Sequence, residues 1–393
     1  MTEARVTSRE EGPRWWQTVQ DRLPSWWERA LAIALIAFAV ILPFFFLQAN
    51  KFVDVTTQAM AYVVMALGLN IVVGFAGLLD LGYVAFFAFG AYTIGWFSSG
   101  FISKAHIHFG SAGPLATLPG IHLNFIIVVI LAIAICALAG VLIGLPTLRL
   151  RGDYIAIVTL GFGEIIRVFA INGDSINLFG QPLTAGRQGI TPVDPVKLPG
   201  VEQFGQLNLR PWYWTILGLV LIVLFVNVRL RDSRLGRAWI AIREDEVAAA
   251  SMGVPLVKTK LMAYATGAGI GGAAGAFLGA YLNTVNADQF QFSFSIFVLA
   301  MIILGGLGSI WGVVLGALAL SYINFYLIPD TFRNLPHKFG LNFDLTDLGF
   351  GIFGFLLVIM MLLRPEGLLP ERRRQIELTE GVGADDALAE ARA

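Results

Sequence analysis

The sequence is poor in charged residues and in cysteine. Only 14% of the 393 residues are charged, whereas 56% are hydrophobic, and the mean hydropathy is +0.72. A water-soluble domain needs a largely solvated surface, so this composition excludes that class and predicts a polytopic membrane protein. The 27 basic and 27 acidic residues balance. The total charge therefore gives no sign of a nucleic-acid partner, and we expect none.

Motifs for catalysis and for nucleotide binding are also lacking. No lysine follows a glycine, so the phosphate-binding loop G-x-x-x-x-G-K-[ST] is absent and the chain cannot bind ATP by that route. The single cysteine, Cys136, lies in an apolar run, which favours a small buried side chain over a redox or metal role. His106 and His108 alternate in a predicted outside loop without cysteine or carboxylate ligands beside them in sequence. We expect no catalytic site, bound cofactor or metal in this chain.

Long apolar runs dominate what is present. A hydrocarbon core of about 30 Å needs roughly 20 helical residues, and about ten runs approach that length. The sequence therefore predicts an all-α bundle of about ten transmembrane helices. The approximate spans are 30–48, 53–74, 80–99, 123–145, 154–172, 212–228, 259–283, 291–306, 311–328 and 346–363. The weakest of these runs could instead form a re-entrant segment.

The distribution of lysine and arginine gives the orientation. With the N-terminus in the cytoplasm, the inside segments hold 19 of the 27 basic residues and the outside segments hold 7, while Arg167 lies within a span. Basic residues favour cytoplasmic segments, so this bias predicts that both termini are cytoplasmic.

Two terminal segments flank a transmembrane domain that we expect at 30–363. The pairs Trp15–Trp16 and Trp26–Trp27 recur beside arginines, which predicts a cytoplasmic interfacial segment at 1–29, with a disordered tail as the alternative. Residues 364–393 are expected to form a polar cytoplasmic tail. No cleavable signal peptide is expected, because the first apolar run is too long and no small-residue cleavage site follows it.

Several polar residues and glycines fall within or beside the predicted spans. Glu164 and Arg167 are three residues apart on one predicted helix, so they can partly neutralise each other; a structural pair is favoured over an ion or proton relay. Asp80 begins its predicted span near the cytoplasmic face, where a carboxylate favours a helix N-terminus. Asn70 and Asn172 complete the intramembrane polar set. Glycines such as those at 267, 271 and 275 predict close helix packing.

Two connecting segments stand out by length and composition. The outside loop at 173–211 contains five prolines and no predicted helix, and it either docks a partner or simply connects two spans. The inside segment at 229–258 includes the run Arg-Glu-Asp-Glu at 243–246, whose charges go most of the way round a helix. This segment therefore cannot cross the membrane. Its alanines favour a helix that ends at Gly253 and Pro255.

The inside segment resembles a known family. The run GRAWIAIREDEVAAASMGV at 236–254 is similar to the cytoplasmic coupling segment of ABC importer permeases, and more narrowly to that of the LivM-type branched-chain amino acid permeases. Further stretches resemble that group in the same order. They are GFAGLLDLGYVAFFAFGAY (74–92), LRLRGDYIAIVTLGFGEIIRV (148–168), LTAGRQGI (183–190), SRLGRAWIAIREDE (233–246), LAMIILGGLGSIWGVVLGA (299–317) and RPEGLLPER (364–372).

The resemblance implies a multi-pass subunit of a bacterial-type inner membrane importer that is driven by ATP. Its implied partners are a related second permease of the LivH type, two cytoplasmic ATPase subunits that use the ATP, an extracytoplasmic solute-binding protein and the lipid bilayer. Residues 236–253 would form the coupling helix, which docks in an ATPase groove. The residues implied in coupling are Arg237, Arg243, Glu244, Asp245, Glu246, Ala248, Ala249 and Gly253.

One departure and three alternatives accompany this resemblance. Importer loops usually read Glu-Ala-Ala, three residues, then Gly, whereas this chain has Val247 at the Glu position. Urea and short-chain amide importers use very similar permeases, so the substrate class stays open. A secondary transporter that uses Asp80, Glu164 and Arg167 without ATP belongs to a different class, and a non-transporting membrane scaffold is the third alternative.

Overall fold

In a computed structural model, the chain forms two units, Met1–Leu47 and Gln48–Ala393. The structure describes residues 37–46, 50–109, 119–148, 154–178, 180–197, 204–205, 208–331 and separate positions between 351 and 369. In the first unit, helical residues 37–41 lead into a 3-10 turn at Leu42–Phe45. The predicted interfacial segment at 1–29, most of the span at 346–363 and most of the tail at 364–393 lie outside the described residues.

The second unit is a bundle of helices. They are α1 (Lys51–Asn70, continued by a π-helical turn at Ile71–Phe75), α2 (Val84–Phe97), α3 (Phe125–Thr147), α4 (Tyr154–Asn172), α5 (Arg210–Asp232), α6 (Arg234–Glu244), α7 (Glu246–Ser251), α8 (Leu256–Tyr281), α9 (Phe292–Gly305) and α10 (Ile310–Tyr322, continued by a π-helical turn at Ile323–Thr331). Over the described ranges, seven helical segments are long and apolar enough to cross a membrane. The predicted all-α polytopic fold is confirmed.

Polar residues fix where several of these helices begin. The side chain of Asn50 accepts a hydrogen bond from the backbone of Phe52 at the start of α1, and Asn124 accepts one from Ile126 at the start of α3. Each asparagine satisfies a backbone N–H that has no partner within the helix. The apolar runs therefore start at capping residues that the hydropathy pattern alone does not mark.

The connecting segments lie at two ends of the bundle. The segment 233–255, which contains α6 and α7, marks the end that the Lys/Arg distribution predicts to be cytoplasmic, and we call it the inner end. The opposite, outer end carries small sheets. Strands β1 (Ser98–Ser99), β2 (His106–Phe109) and β3 (Gly120–Leu123) form one sheet in the order β1-β3-β2, and β4 (Asn177–Leu178) pairs with β5 (Gln181–Pro182).

The outer loops therefore have more structure than the sequence predicts. The loop at 173–211 contains β4, β5 and a 3-10 turn at Gly186–Gln188, and it pairs with the neighbouring segments through isolated bridges from Val193 to Ser99 and from Ile190 to Val285. Helix α5 begins at Arg210, inside the predicted loop. These bridges join three outer segments into one layer over the helices.

The predicted span at 80–99 is wrong at its inner end, where residues 80–83 are not helical. Helix α2 begins only at Val84, and its 14 residues are too few to cross a bilayer. Residues 76–83 form an irregular segment instead, and Tyr83 at its end donates a hydrogen bond to Gly267 about halfway along α8. Irregular backbone at membrane depth is tolerated only where protein surrounds it. Asp80 therefore lies in this buried segment and not at a helix N-terminus.

Glycine residues allow the helices around this segment to touch. A Cβ added to Gly90 in α2 would lie 2.1 Å from the carbonyl oxygen of Gly272 in α8, and one added to Gly275 would lie 2.2 Å from that of Phe87. These distances leave no room for any side chain, so the backbones of α2 and α8 are in direct contact. The predicted close packing is confirmed at this crossing.

We expect Gly90→Ala to force α2 away from α8 and to destabilise the fold by about 1–3 kcal/mol, the usual range for overpacking. The matched control is Gly218→Ala in α5, because a Cβ at Gly218 meets no atom within 4 Å. Thermal unfolding of the purified chain in detergent measures both. Equal unfolding temperatures for the two variants would show that the helices do not touch at Gly90.

Candidate functional site

The inner segment folds as two short helices joined at Asp245. Helix α6 ends at Glu244, and the Asp245 carboxylate then accepts hydrogen bonds from the backbone N–H groups of Val247 and Ala248, which start α7. The sequence predicts a single helix here, but the N-cap at Asp245 favours a new helix over continuation. The break turns the direction of the chain between residues 244 and 246.

Two contacts fasten this segment to the start of α8. The indole N–H of Trp239, which is fully buried, donates to the carbonyl of Thr259 at 2.8 Å. The Lys260 ammonium lies 2.7 Å from the Glu246 carboxylate, and the lysine side chain is only 6% exposed. A buried lysine needs such a partner, because an unpaired charge away from water is costly. Both short helices therefore move together with the inner end of α8.

A third contact reaches α1. The Arg243 guanidinium donates from Nη1 to the carbonyl oxygen of Gly74 at 2.6 Å, within the π-helical turn that ends α1. Gly77 has φ +68°, and a Cβ there would lie 2.5 Å from Arg243 Cγ. The chain after α1 thus bends closely around the arginine. Arg243 connects the inner segment to the most buried spanning helix among the described residues.

Asn70 lies one turn before Gly74 and ties α1 to a second broken region. The Asn70 side chain is fully buried, and its Oδ1 accepts a hydrogen bond from the N–H of Gly308, between α9 and α10, at 3.0 Å. A Cβ on Gly74 would collide with both groups, at 2.0 Å from Asn70 Oδ1 and 2.7 Å from Gly308 N. The end of α1 is therefore in contact with α6 on one side and with the α9–α10 junction on another.

The surface left over for a partner is mostly that of α7. Glu244, Ala248 and Gly253 are exposed, as predicted for a docking surface, but Ala249 is buried. Arg237 is exposed and donates to the carbonyl of Asp232. Asp245 and Glu246 are exposed as well, but they already serve as the α7 cap and the Lys260 partner.

Two large apolar side chains that the sequence analysis does not select also lie on this surface. Val247 is 75% exposed and Met252 is 86% exposed, at the two ends of α7. Both side chains are therefore accessible to a partner. Their position next to the helix end at Gly253 and Pro255 could have indicated that these two side chains are exposed. The pattern of charges does not indicate it.

Asp80 lies away from this surface, in the irregular segment before α2. Its Oδ1 accepts a hydrogen bond from the N–H of Gly82, and the hydroxyl of Thr159 in α4 accepts one from Leu81. Asp80 is 2% exposed. The aspartate and threonine side chains thus satisfy backbone groups that no helix pairs, which is what an irregular segment needs within a membrane.

Glu164 and Arg167 form the predicted i,i+3 pair in α4, with Oε2 and Nη1 3.4 Å apart. Among the hydrogen bonds and ion pairs of the described residues, none joins this pair to Asp80. Asn172, at the end of α4, donates to the carbonyl of Val168 and is exposed. The intramembrane polar residues therefore occupy separate places and do not converge on one site.

The outer end contains a buried pair that the sequence does not reveal. His122 Nδ1 lies 2.7 Å from Asp194 Oδ2, and both side chains are buried between β3 and the 173–211 loop. Burial raises the pKa of the Asp194 carboxyl, whereas the hydrogen bond and charge of His122 act in the opposite direction. His106 and His108, the two histidines that the sequence singles out, are exposed, whereas His122 is buried.

Over the described ranges, no group of three or more His, Cys, Asp or Glu side chains is placed to hold a metal ion. Cys136 is buried, in line with its position in an apolar run. The geometry is that of a membrane bundle with two short helices at its inner end.

Comparison with known proteins places this geometry in a family. Residues 51–361 match the family model described as "Branched-chain amino acid transport system / permease component". The high-affinity branched-chain amino acid transport permease LivM of Salmonella typhimurium is 36% identical over 374 residues, which are 90% of this chain and 78% of that protein. The LivM protein of Escherichia coli K12 gives the same values.

More distant relatives extend the match. A probable LivM of Methanocaldococcus jannaschii is 26% identical over 79% of this chain and 91% of its own length. The LivH permease of Escherichia coli is 26% identical over 40% of this chain and 46% of its own length. No solved structure matches the chain. The extent of these matches shows that the chain belongs to the branched-chain amino acid transport permease family.

Proposed function

We propose that the chain is the LivM-type permease subunit of an ATP-driven importer, and that it forms part of the translocation pathway for branched-chain amino acids. The observation that carries the proposal is the inner segment, in which an exposed short helix is fastened to two spanning helices through Arg243 and Lys260. Such a segment can receive movement from a partner and pass it into the bundle.

The proposal includes partners that supply what the chain lacks. The sequence contains no phosphate-binding loop, so the ATP is hydrolysed by separate ATPase subunits that dock against α7. LivM and LivH relatives are both permeases of branched-chain amino acid transport systems, which supports a second, related permease beside this one. A solute-binding protein at the outer end completes the importer and delivers the substrate.

The proposal is tested with the whole importer in liposomes. With ATP and the binding protein present, we expect uptake of leucine, and we expect no uptake when ATP is omitted. Uptake of urea but not leucine would contradict the amino acid assignment. Leucine uptake that needs no ATP and stops when a proton or sodium gradient is dissipated would instead support a secondary transporter.

Arg243 is the residue that we expect to pass movement from the inner segment to α1. Its guanidinium is the group that bridges α6 to the Gly74 carbonyl, whereas Trp239 and Glu246 both contact the start of α8. A charged donor to a carbonyl contributes about 1.5–3 kcal/mol. Its loss would remove this hydrogen bond between α6 and the end of α1.

Arg243→Gln is therefore expected to slow ATP-driven leucine uptake about ten-fold, the rate equivalent of the lower end of that range, while the ATPase subunits still bind the complex. The matched control is Arg231→Gln, since the Arg231 guanidinium contacts the neighbouring Asp232 carboxylate at the exposed surface. Uptake rates and co-purification of the ATPase subunits are measured together. If both variants transport leucine at the same rate, Arg243 has no special part in coupling.

A further inference from the structure

We propose that Glu164 and Arg167 form a polar binding site within the translocation pathway, at which the ammonium and carboxylate groups of a zwitterionic amino acid are held in passing. The exposed face of α4 that carries this pair then forms the pathway wall opposite the second permease. This inference rests on the proposed function, because it assumes that the chain transports amino acids.

The pair lies near the middle of the membrane. Glu164 is ten residues beyond the first residue of α4, Tyr154, which corresponds to about 15 Å along a helix and thus to the middle of the bilayer. Its neighbour Gly163 packs against Gly82, where α2 is about to begin. Tyr83 follows and contacts Gly271, about halfway along α8. The positions along α4, α2 and α8 therefore all place the pair near the middle of the membrane.

Helix α4 has one packed face and one open face. The packed face is buried and carries Ile155, Ala156, Thr159, Gly163 and Ala170. The open face carries Tyr154, Ile157, Ile165, Val168 and Phe169, each about half exposed or more. Gly161 leaves open space beside this helix, because a Cβ there would meet no atom within 4 Å. The pair lies at the edge between the two faces, with the Glu164 side chain 40% exposed and that of Arg167 29% exposed.

Contact with lipid is unfavourable for the edge of α4 that carries Glu164 and Arg167. A charged side chain facing the centre of a bilayer costs about 2.5–3.5 kcal/mol on insertion scales, and charges within spans normally face protein or a water-filled space. The Glu164–Arg167 contact is a single one at 3.4 Å, too long for the bidentate geometry that makes such pairs strong. We therefore expect the edge of α4 that carries the pair to face protein and water, with the second permease as the partner that lies in the same membrane.

The pair also has hydrogen-bonding capacity left over. Arg167 Nε is buried and has no hydrogen-bond partner in the part of the chain that the structure describes. A guanidinium presents a fork of donors that matches a carboxylate, and the Glu164 carboxylate can accept from an ammonium group. A zwitterionic amino acid carries these two groups on the same carbon atom, so it can replace the single Glu164–Arg167 contact by two stronger ones. Urea carries neither charge.

The test uses the complete importer in liposomes, with leucine as the probe. The variant combines Glu164→Gln with Arg167→Gln, which removes both charges from the membrane and so avoids leaving one of them unpaired. We expect leucine uptake per ATP hydrolysed to fall about ten-fold or more, as for the loss of charged hydrogen bonds. The matched control combines Leu138→Gln with Leu142→Gln on the exposed face of α3, and we expect its uptake per ATP to match the wild type.

The possible outcomes separate this inference from the proposed function. If the double glutamine variant imports leucine with the wild-type yield per ATP, the pair is structural and the inference is overturned. An equal loss in the α3 control would also overturn it, because amides within the membrane would then suffice to explain the effect. If the wild-type importer takes up no leucine with ATP, the proposed function itself fails, and the binding site fails with it.

Discussion

The hydrocarbon core of a membrane offers the backbone no hydrogen-bond partners, and the arrangement of this bundle follows from that constraint. Helix α2 is too short to cross the core, so the backbone groups of residues 76–83 need partners within the protein. Asp80 and Thr159 satisfy backbone groups of that segment, and Gly90 lets α8 approach closely beside it. The glycine-rich α8 and the polar residues near mid-membrane thus both help to accommodate the irregular segment at 76–83.

The same irregular region gives the inner segment access to the bundle. A helix α1 that continued past Phe75 would pair the Gly74 carbonyl within itself, whereas the bend after α1 leaves this carbonyl open to Arg243. On the other side of α1, Asn70 contacts the α9–α10 junction. A displacement of α6 is therefore applied where three elements meet, and this is where a small movement at the surface can have the largest effect on the helices.

The sequence predicts the class of fold well, because a long apolar run has few alternatives to a membrane helix. Eight predicted spans contain one of the helices numbered α1 to α10, and the inner segment lies between the two spans that the sequence predicts. Hydropathy could not reveal the break at 76–83, since GFAGLLDLGY is as apolar as a helix and its partners Thr159 and Ser295 are distant in sequence. The buried His122–Asp194 pair could not be predicted either, because its two residues are also distant in sequence.

The sequence predicts which segment connects the spans at the inner end, but not the contacts of its side chains. Charge geometry predicts that the segment stays out of the bilayer, and it treats Arg243, Asp245 and Glu246 as free to dock. The structure shows that each of them has a contact within the chain, while Val247 and Met252 project outward. The direction of the α7 side chains depends on the break at Asp245. Helix propensity does not predict where that break lies.

The central claim is that α7 receives movement from an ATPase subunit. The most direct test attaches a photoactivatable thiol-specific crosslinker to Met252→Cys in the complete importer, with Asp288→Cys at the outer end as the control. The native Cys136 is buried and leaves the new thiol as the reactive one. The account predicts a crosslink to the ATPase subunit from position 252 and none from position 288. The absence of any ATPase crosslink from position 252 would contradict it.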